Sequence, residues 1–295
     1  MNTRFTRTLA AVIRITRGVL TFNQELNRLR PVLLIVIAGI ATWSLLRAQK
    51  PFKDYPTAEQ HAEYSLPPDY QETTEWTRAR LIYPSILAPH GVPDGWHRWT
   101  IDYPRSDRLL LQGIRRLTRI NTRSVEQSVE LDGTDEVYNW PMLYAVEVGY
   151  WNLTDAMAAQ LREFLLRGGF FMCDDFHGTI EWNNFMATMS RVFPDRPVVD
   201  LDNKDPIFHV IYDLDDRYQV PGAQYLQTGS HYEYDGYEAK WRGIYDDHGR
   251  VMVAICHNMD LGDAWEWSDD PRYPEKWASL AYRIAVNYFV YDLTH

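Results

Sequence analysis

Residues 154–178 read TDAMAAQLREFLLRGGFFMCDDFHG, and the way this stretch divides decides the fold. Thr154 stands where a helix N-cap belongs, with a side-chain oxygen ready for an orphan backbone N–H. Met157, Leu161, Phe164 and Leu165 then recur at the spacing that lines one face of a helix. Gly168 ends the pattern as a C-cap, because glycine enters the left-handed conformation without a side-chain clash. Gly169–Cys173 (GFFMC) is apolar throughout, as a strand is when helices cover both faces of its sheet. The Gly168-Gly169 pair lies at a helix C-terminus, the wrong end for a phosphate.

The same alternation extends in both directions. Upstream, Ala79–Tyr83, Ser128–Leu131 and Met142–Val146 read as strands, and Pro104–Ile120 as a helix with Leu109, Leu110, Ile114 and Leu117 on one face. Downstream come a helix over Ile180–Phe193, a buried strand at Val251–Cys256 and a closing amphipathic helix at Trp277–Tyr291. Together these predict a three-layer α/β domain with a mostly parallel sheet over residues 76–295. Pro206–Gly243 is aromatic, acidic and irregular, and reads as a long excursion from the sheet.

The first 75 residues have another character. Residues 1–50 carry eight Arg or Lys and one acid, leaving 22 basic and 39 acidic residues, or −17, for the remainder. So acidic a body argues against nucleic acid as a partner, since phosphate binding needs a basic face. In residues 1–30, Phe5, Leu9, Val12, Ile13 and Leu20 share one helical face and Arg4, Arg7, Arg14 and Arg17 the opposite one. That is the pattern of a helix lying on an anionic lipid surface. Residues 31–47 are expected to form a single transmembrane helix. Its uncharged stretch, Val32–Leu46, covers about 22 Å, and Arg28, Arg30 and Arg47 snorkel to lengthen it. Six arginines precede the span, so the N-terminus is expected in the cytoplasm and the α/β domain in the periplasm, with the chain held in the inner membrane. A 30-residue arm and no A-x-A site favour retention over cleavage as a signal peptide. The span has no histidine to ligate haem or chlorophyll. Residues 48–75 read as an extended linker carrying Tyr55, Tyr64 and Tyr70.

Sites in open α/β sheets form at the carboxyl ends of strands. Two segments end strands here, and they gather Asp174, Asp175, His177, His257, Asp260, Asp263 and Glu266. So oxygen-rich a set suits Ca²⁺ or Mg²⁺. The same residue types also cap helices and bind turn amides, and neither EF-hand spacing nor HExxH occurs, so no cofactor or metal is expected. Cys173 as a nucleophile, with His177 or His257 as base, would need small neighbours at a strained elbow, but Met172 and Asp174 flank it. Cys173 and Cys256 therefore read as buried structural thiols, with a disulfide between them left open. His61, His90, His97, His209, His231 and His248 lack ligand spacing, and neither a P-loop nor a Ser/His/Asp motif is present.

Several segments carry a family resemblance: RLIYPS (80–85), RRLTRI (115–120), WPMLY (140–144), LREFLLRGGFFMCDDFHG (161–178), and GRVMVAICHNMDLGDAWEW (249–267) followed by Tyr273-Pro274. From about Trp76 onward the chain resembles a functionally uncharacterised bacterial domain family related in fold to the class I glutamine amidotransferases. The resemblance implies a flavodoxin-like sandwich. It does not imply glutaminase activity, because the G-x-C-x-G elbow of those enzymes is missing. The chain is also similar to auxiliary subunits of bacterial photosynthetic reaction-centre and light-harvesting complexes. The expectation is thus a non-catalytic accessory subunit that docks on a larger integral membrane complex. The alternative is a periplasmic hydrolase or small-ligand binder using the acidic strand ends, with or without a divalent metal.

Overall fold

A computed structural model describes residues 49–57, 65–86 and 98–295. The expected arm (1–30) and transmembrane helix (31–47) lie outside the described residues. Among those residues no helix is long and apolar enough to cross a membrane. The chain divides into two units, Met1–Gln49 and Lys50–His295, and the second unit contains the sheet.

Strand β1 (Ala79–Ile82) pairs in parallel with β2 (Gln127–Glu130) on one side and β3 (Met142–Ala145) on the other. Parallel pairing continues from β3 to β4 (Phe170–Cys173) and from β4 to β7 (Val251–His257). Beyond β7 the sheet turns antiparallel, through β6 (Lys240–Tyr245) to a two-residue edge strand, β5 (Val199–Asp200). The order is β2-β1-β3-β4-β7-β6-β5. The α/β fold with a mostly parallel sheet is therefore as the sequence predicts. The β5–β6 extension is not, and Lys240–Gly243 belongs to a strand rather than to the excursion.

Side chains alternate across this sheet, and each face builds its own core. Met142, Tyr144, Phe170, Met172, Ala254 and Cys256 face helices α1 (Arg105–Leu117) and α6 (Glu275–Thr294). Leu143, Ala145, Phe171, Cys173, Val253 and Ile255 face α2 (Asp155–Leu166) and α3 (Gly178–Val192). Three layers result. Thr154 caps α2 as expected, accepting the N–H of Met157 at 3.3 Å. Gly168 follows with φ of 104°. Two short helices, α4 (Tyr225–Thr228) and α5 (Leu261–Glu266), complete the α-helices among the described residues.

Both cysteines are free and buried. Cys173 stands opposite Ile255 in the β4–β7 register, so Cys256, one residue on, points to the other face of the sheet. The adjacent strands thus bring the two backbones close and keep the sulfurs apart, which leaves no bridging geometry.

One feature at the start of β1 has no counterpart in the hydrophobic pattern. Arg78 and Arg80 are fully buried, and both pair with the fully buried Asp107 of α1, at 3.1 and 2.8 Å. Arg80 also donates to the carbonyls of Trp99 and Ile101. The Arg78 guanidinium lies 3.6 Å over the Tyr144 ring, which offsets part of its lost hydration.

Candidate functional site

The carboxyl ends of β3, β4 and β7 converge on one edge of the sheet, and the backbone there is strained. Glu147, Asp175 and Asn258 follow these strands with φ of 48°, 50° and 65°. Asp102 (61°) and Tyr234 (47°) complete the set of non-glycine residues in the left-handed region among the described residues. Each costs on the order of 1–3 kcal/mol and persists only where its surroundings over-determine it. All five join the same neighbourhood. The Asp102 carboxylate packs against the backbone of Gly262 in α5, and Tyr150, beside Glu147, hydrogen-bonds Glu181 and Tyr234.

At the centre, His177 Nε2 meets Asp175 Oδ1 at 3.2 Å and Glu233 Oε1 at 3.8 Å. Glu233 comes from the excursion, which folds across the strand ends. Gln219 donates to the carbonyls of Gly236 and Asn258, and Asp235 accepts the N–H of Thr179 at the start of α3. Glu147 is held by Arg98 through two hydrogen bonds of 2.9 and 2.6 Å.

Burial and mutual repulsion shift these groups strongly. Burial pushes Glu147 and Glu233 up to about 7, with Arg98 pulling Glu147 back and Glu181 adding to the rise of Glu233. Asp175 lies well above the carboxylate range, from burial and then from the charges of Glu147 and Glu233. His177 is pushed down to about 3 by burial, so its ring is neutral. Perturbed groups gathered at a strand-end edge mark a candidate site.

Residues 90–293 match the family described as a domain of unknown function, DUF4159. The chain belongs to this family. No curated protein matches the chain. The matched span begins after β1 and includes every acidic residue of the edge.

Within this DUF4159 domain the seven residues singled out by sequence separate into different roles. Asp174 is a structural cap: one oxygen accepts the Tyr144 hydroxyl at 2.6 Å, the other the N–H groups of Leu261 and Gly262 at 2.8 and 3.1 Å. Asp260 is the N-cap of α5 and accepts from the Asp263 N–H at 2.7 Å. Asp263 in turn accepts from the Ala223 N–H and the Trp267 indole. His257 donates toward the Gly178 carbonyl at 3.2 Å and lies against the rings of Phe176 and Trp182, an ordinary core histidine pushed down to about 4 by burial. Two groups keep spacing compatible with a shared ion, their ligand atoms lying within 4.8 Å of one another: Asp175 with His177 and Glu233, and Asp102 with Asp263 and Glu266. Cys173 is fully buried and points into the core, and burial raises its thiol well above the ordinary value, surroundings that disfavour the thiolate.

Sequence reasoning passed over Glu147, Glu233, Asp102 and Arg98. Glu147 was legible in principle, as an acid just past a strand end. Glu233 was not, because it lies far along the chain in a segment without periodicity. The DUF4159 domain also has an open cleft of about 470 Å³ along α1, lined by Arg105, Arg108, Arg115 and Arg116. Three of these pair with Asp269, Asp54 and Asp69, so their charges are already compensated.

Proposed function

We propose that the domain binds and hydrolyses a small ligand at the acidic carboxyl edge of its sheet, on a flavodoxin-like frame of the glutamine amidotransferase type. The parallel strands run in the order second, first, third, fourth, last, which supports that frame and its rule of sites beyond the carboxyl ends. One observation carries the reading: three adjacent strands each end in a strained non-glycine residue, and two of those, Glu147 and Asp175, have strongly raised carboxyl groups. Glu147 and Glu233, pushed up to about 7, can both give and take a proton at working pH, which suits general acid–base hydrolysis. Asp175, His177, Glu147 and Glu233 are the groups placed to meet the ligand.

The test needs no known substrate. Residues kept for function cost stability, so Glu147→Gln and Asp175→Asn are expected to leave the melting temperature unchanged or raise it. The same variants abolish hydrolysis of any ester, phosphoester or glycoside that the wild type turns over. If both variants instead lower stability, the carboxylates are structural and the proposal fails.

A second reading, an accessory subunit docked on a membrane complex such as a photosynthetic reaction-centre and light-harvesting assembly, is favoured by one observation. Tyr234 and Tyr237 on the excursion are 66% and 63% exposed, an aromatic surface of the kind enriched at interfaces. This reading keeps the chain anchored in the inner membrane with its domain in the periplasm. Gentle detergent extraction is then expected to bring stoichiometric partners, and a chain that purifies alone as a stable monomer overturns it.

A further inference from the structure

His177 is 4% exposed, and its ring turns Nε2 into the acidic pair of Asp175 and Glu233. Its Nδ1 is buried without a hydrogen-bond partner among the described residues, while Nε2 faces Asp175 and Glu233. A neutral imidazole has one N–H and one lone pair. With the proton on Nε2, the ring donates to Asp175 and strands a buried lone pair at Nδ1. With the proton on Nδ1, the Nε2 lone pair points at the oxygens of Asp175 and Glu233, where only a proton on one of them or a cation can match it. A cation between the three groups takes the Nε2 lone pair and one oxygen from each acid, with the ring proton on Nδ1; the three ligand atoms lie within 4.8 Å of one another.

We propose that Asp175, His177 and Glu233 bind one divalent transition-metal ion through His177 Nε2 and one oxygen of each carboxylate. The spacing fits. Ligand atoms around an ion with bonds of about 2.0–2.2 Å lie roughly 3.5 Å apart, against 3.2 and 3.8 Å here. The imidazole donor favours an ion such as Zn²⁺ over Ca²⁺ and Mg²⁺, which prefer oxygen alone, and the two carboxylates also admit Mn²⁺. Glu147 deepens the negative potential, and its partner Arg98 bonds to it rather than to the three ligands. Three protein ligands leave open positions for water and for a substrate oxygen. The inference rests on the reading of this edge as the working site and turns its acid–base chemistry into metal-assisted hydrolysis. Two ligands leave β4 together and the third comes from the excursion, so the ion also pins that segment to the sheet.

The test uses the full chain in detergent, stripped by a chelator and titrated separately with Zn²⁺, Mn²⁺ and Mg²⁺, with bound metal measured by elemental analysis. One equivalent of Zn²⁺ or Mn²⁺ is expected to bind and to raise the melting temperature, with Mg²⁺ at least tenfold weaker. His177→Ala and Glu233→Gln each weaken binding by tenfold or more, and Asp269→Asn, in the α1 cleft, leaves it unchanged. Glu233→Gln is the decisive variant, because its site is partly exposed and its metal-free melting temperature reports whether the fold is intact. Metal ions slow proteolysis between residues 229 and 238 in the wild type but not in Glu233→Gln. Absence of stoichiometric binding, or binding that both variants leave unchanged, overturns the metal site. If Glu147→Gln and Asp175→Asn still preserve stability in that case, only the metal site falls; if they lower it, the working-site reading falls too.

Discussion

Asp174 reaches from the end of β4 to Leu261 at the start of α5, accepting its backbone N–H at 2.8 Å. The side chain of one strand thus caps the helix that follows another. Its second oxygen holds the Tyr144 hydroxyl. Replacing it with alanine leaves three buried donors unmatched, at a cost of about 3 kcal/mol or more. The expected result for Asp174→Ala is a lower urea midpoint at an unchanged slope.

Asp107 is the shared counter-charge of Arg78 and Arg80. Removing one member of a buried ion cluster exposes the others to uncompensated burial, which costs about 3–5 kcal/mol. Asp107→Asn should therefore destabilise far more than Asp269→Asn, whose carboxylate is exposed. Parallel denaturation curves check the difference.

Asp292, near the end of α6, is pushed up to about 8 by burial, with Arg250 pulling against the shift. Its folded pKa lies above the ordinary 3.8, so the stability it contributes is complete below that value. It is lost progressively as pH rises through about 8. Asp292→Asn should remove this slope, giving a higher melting temperature than wild type at pH 9 and little change at pH 4.

Cys173 and Cys256 lie on opposite faces of the sheet, in separate cores. Mild oxidants should not link them. Both thiols should resist alkylation in the native protein and react only as it unfolds, so mass labelling across a urea series should follow the unfolding curve. A disulfide-linked species in native protein would contradict the register of β4 and β7.

Much of the frame could be read from residues 154–178. Thr154, the stripe through Leu165, Gly168 and the apolar FFMC each state one local preference, and all four agree with the sheet that forms. The failures have physical reasons. Lys240–Tyr245 alternates poorly and is half-exposed along much of its length, because it lies beyond the parallel core and needs cover on fewer sides. Nothing in the hydrophobic pattern marks Arg78 and Arg80 as buried, since a sequence does not reveal that Asp107 of α1 meets them. The site was half visible. Asp174 and Asp175 look equivalent in sequence, yet one caps α5 and the other meets His177, because the backbone turns left-handed between their tasks. Glu233 completes the cluster only through the path of the excursion, and that path is a tertiary property.

The two-residue β5 has a consequence for how copies of this protein behave together. An open sheet edge invites foreign strands, and long flat edges seed ordered aggregates. Here the outermost ladder is only Val199 and Asp200, with Asp200 engaged by Arg242 at 2.9 Å. So short and charged a margin gives an incoming strand almost no register to copy. On this side of the sheet, that margin disfavours edge-to-edge pairing between copies.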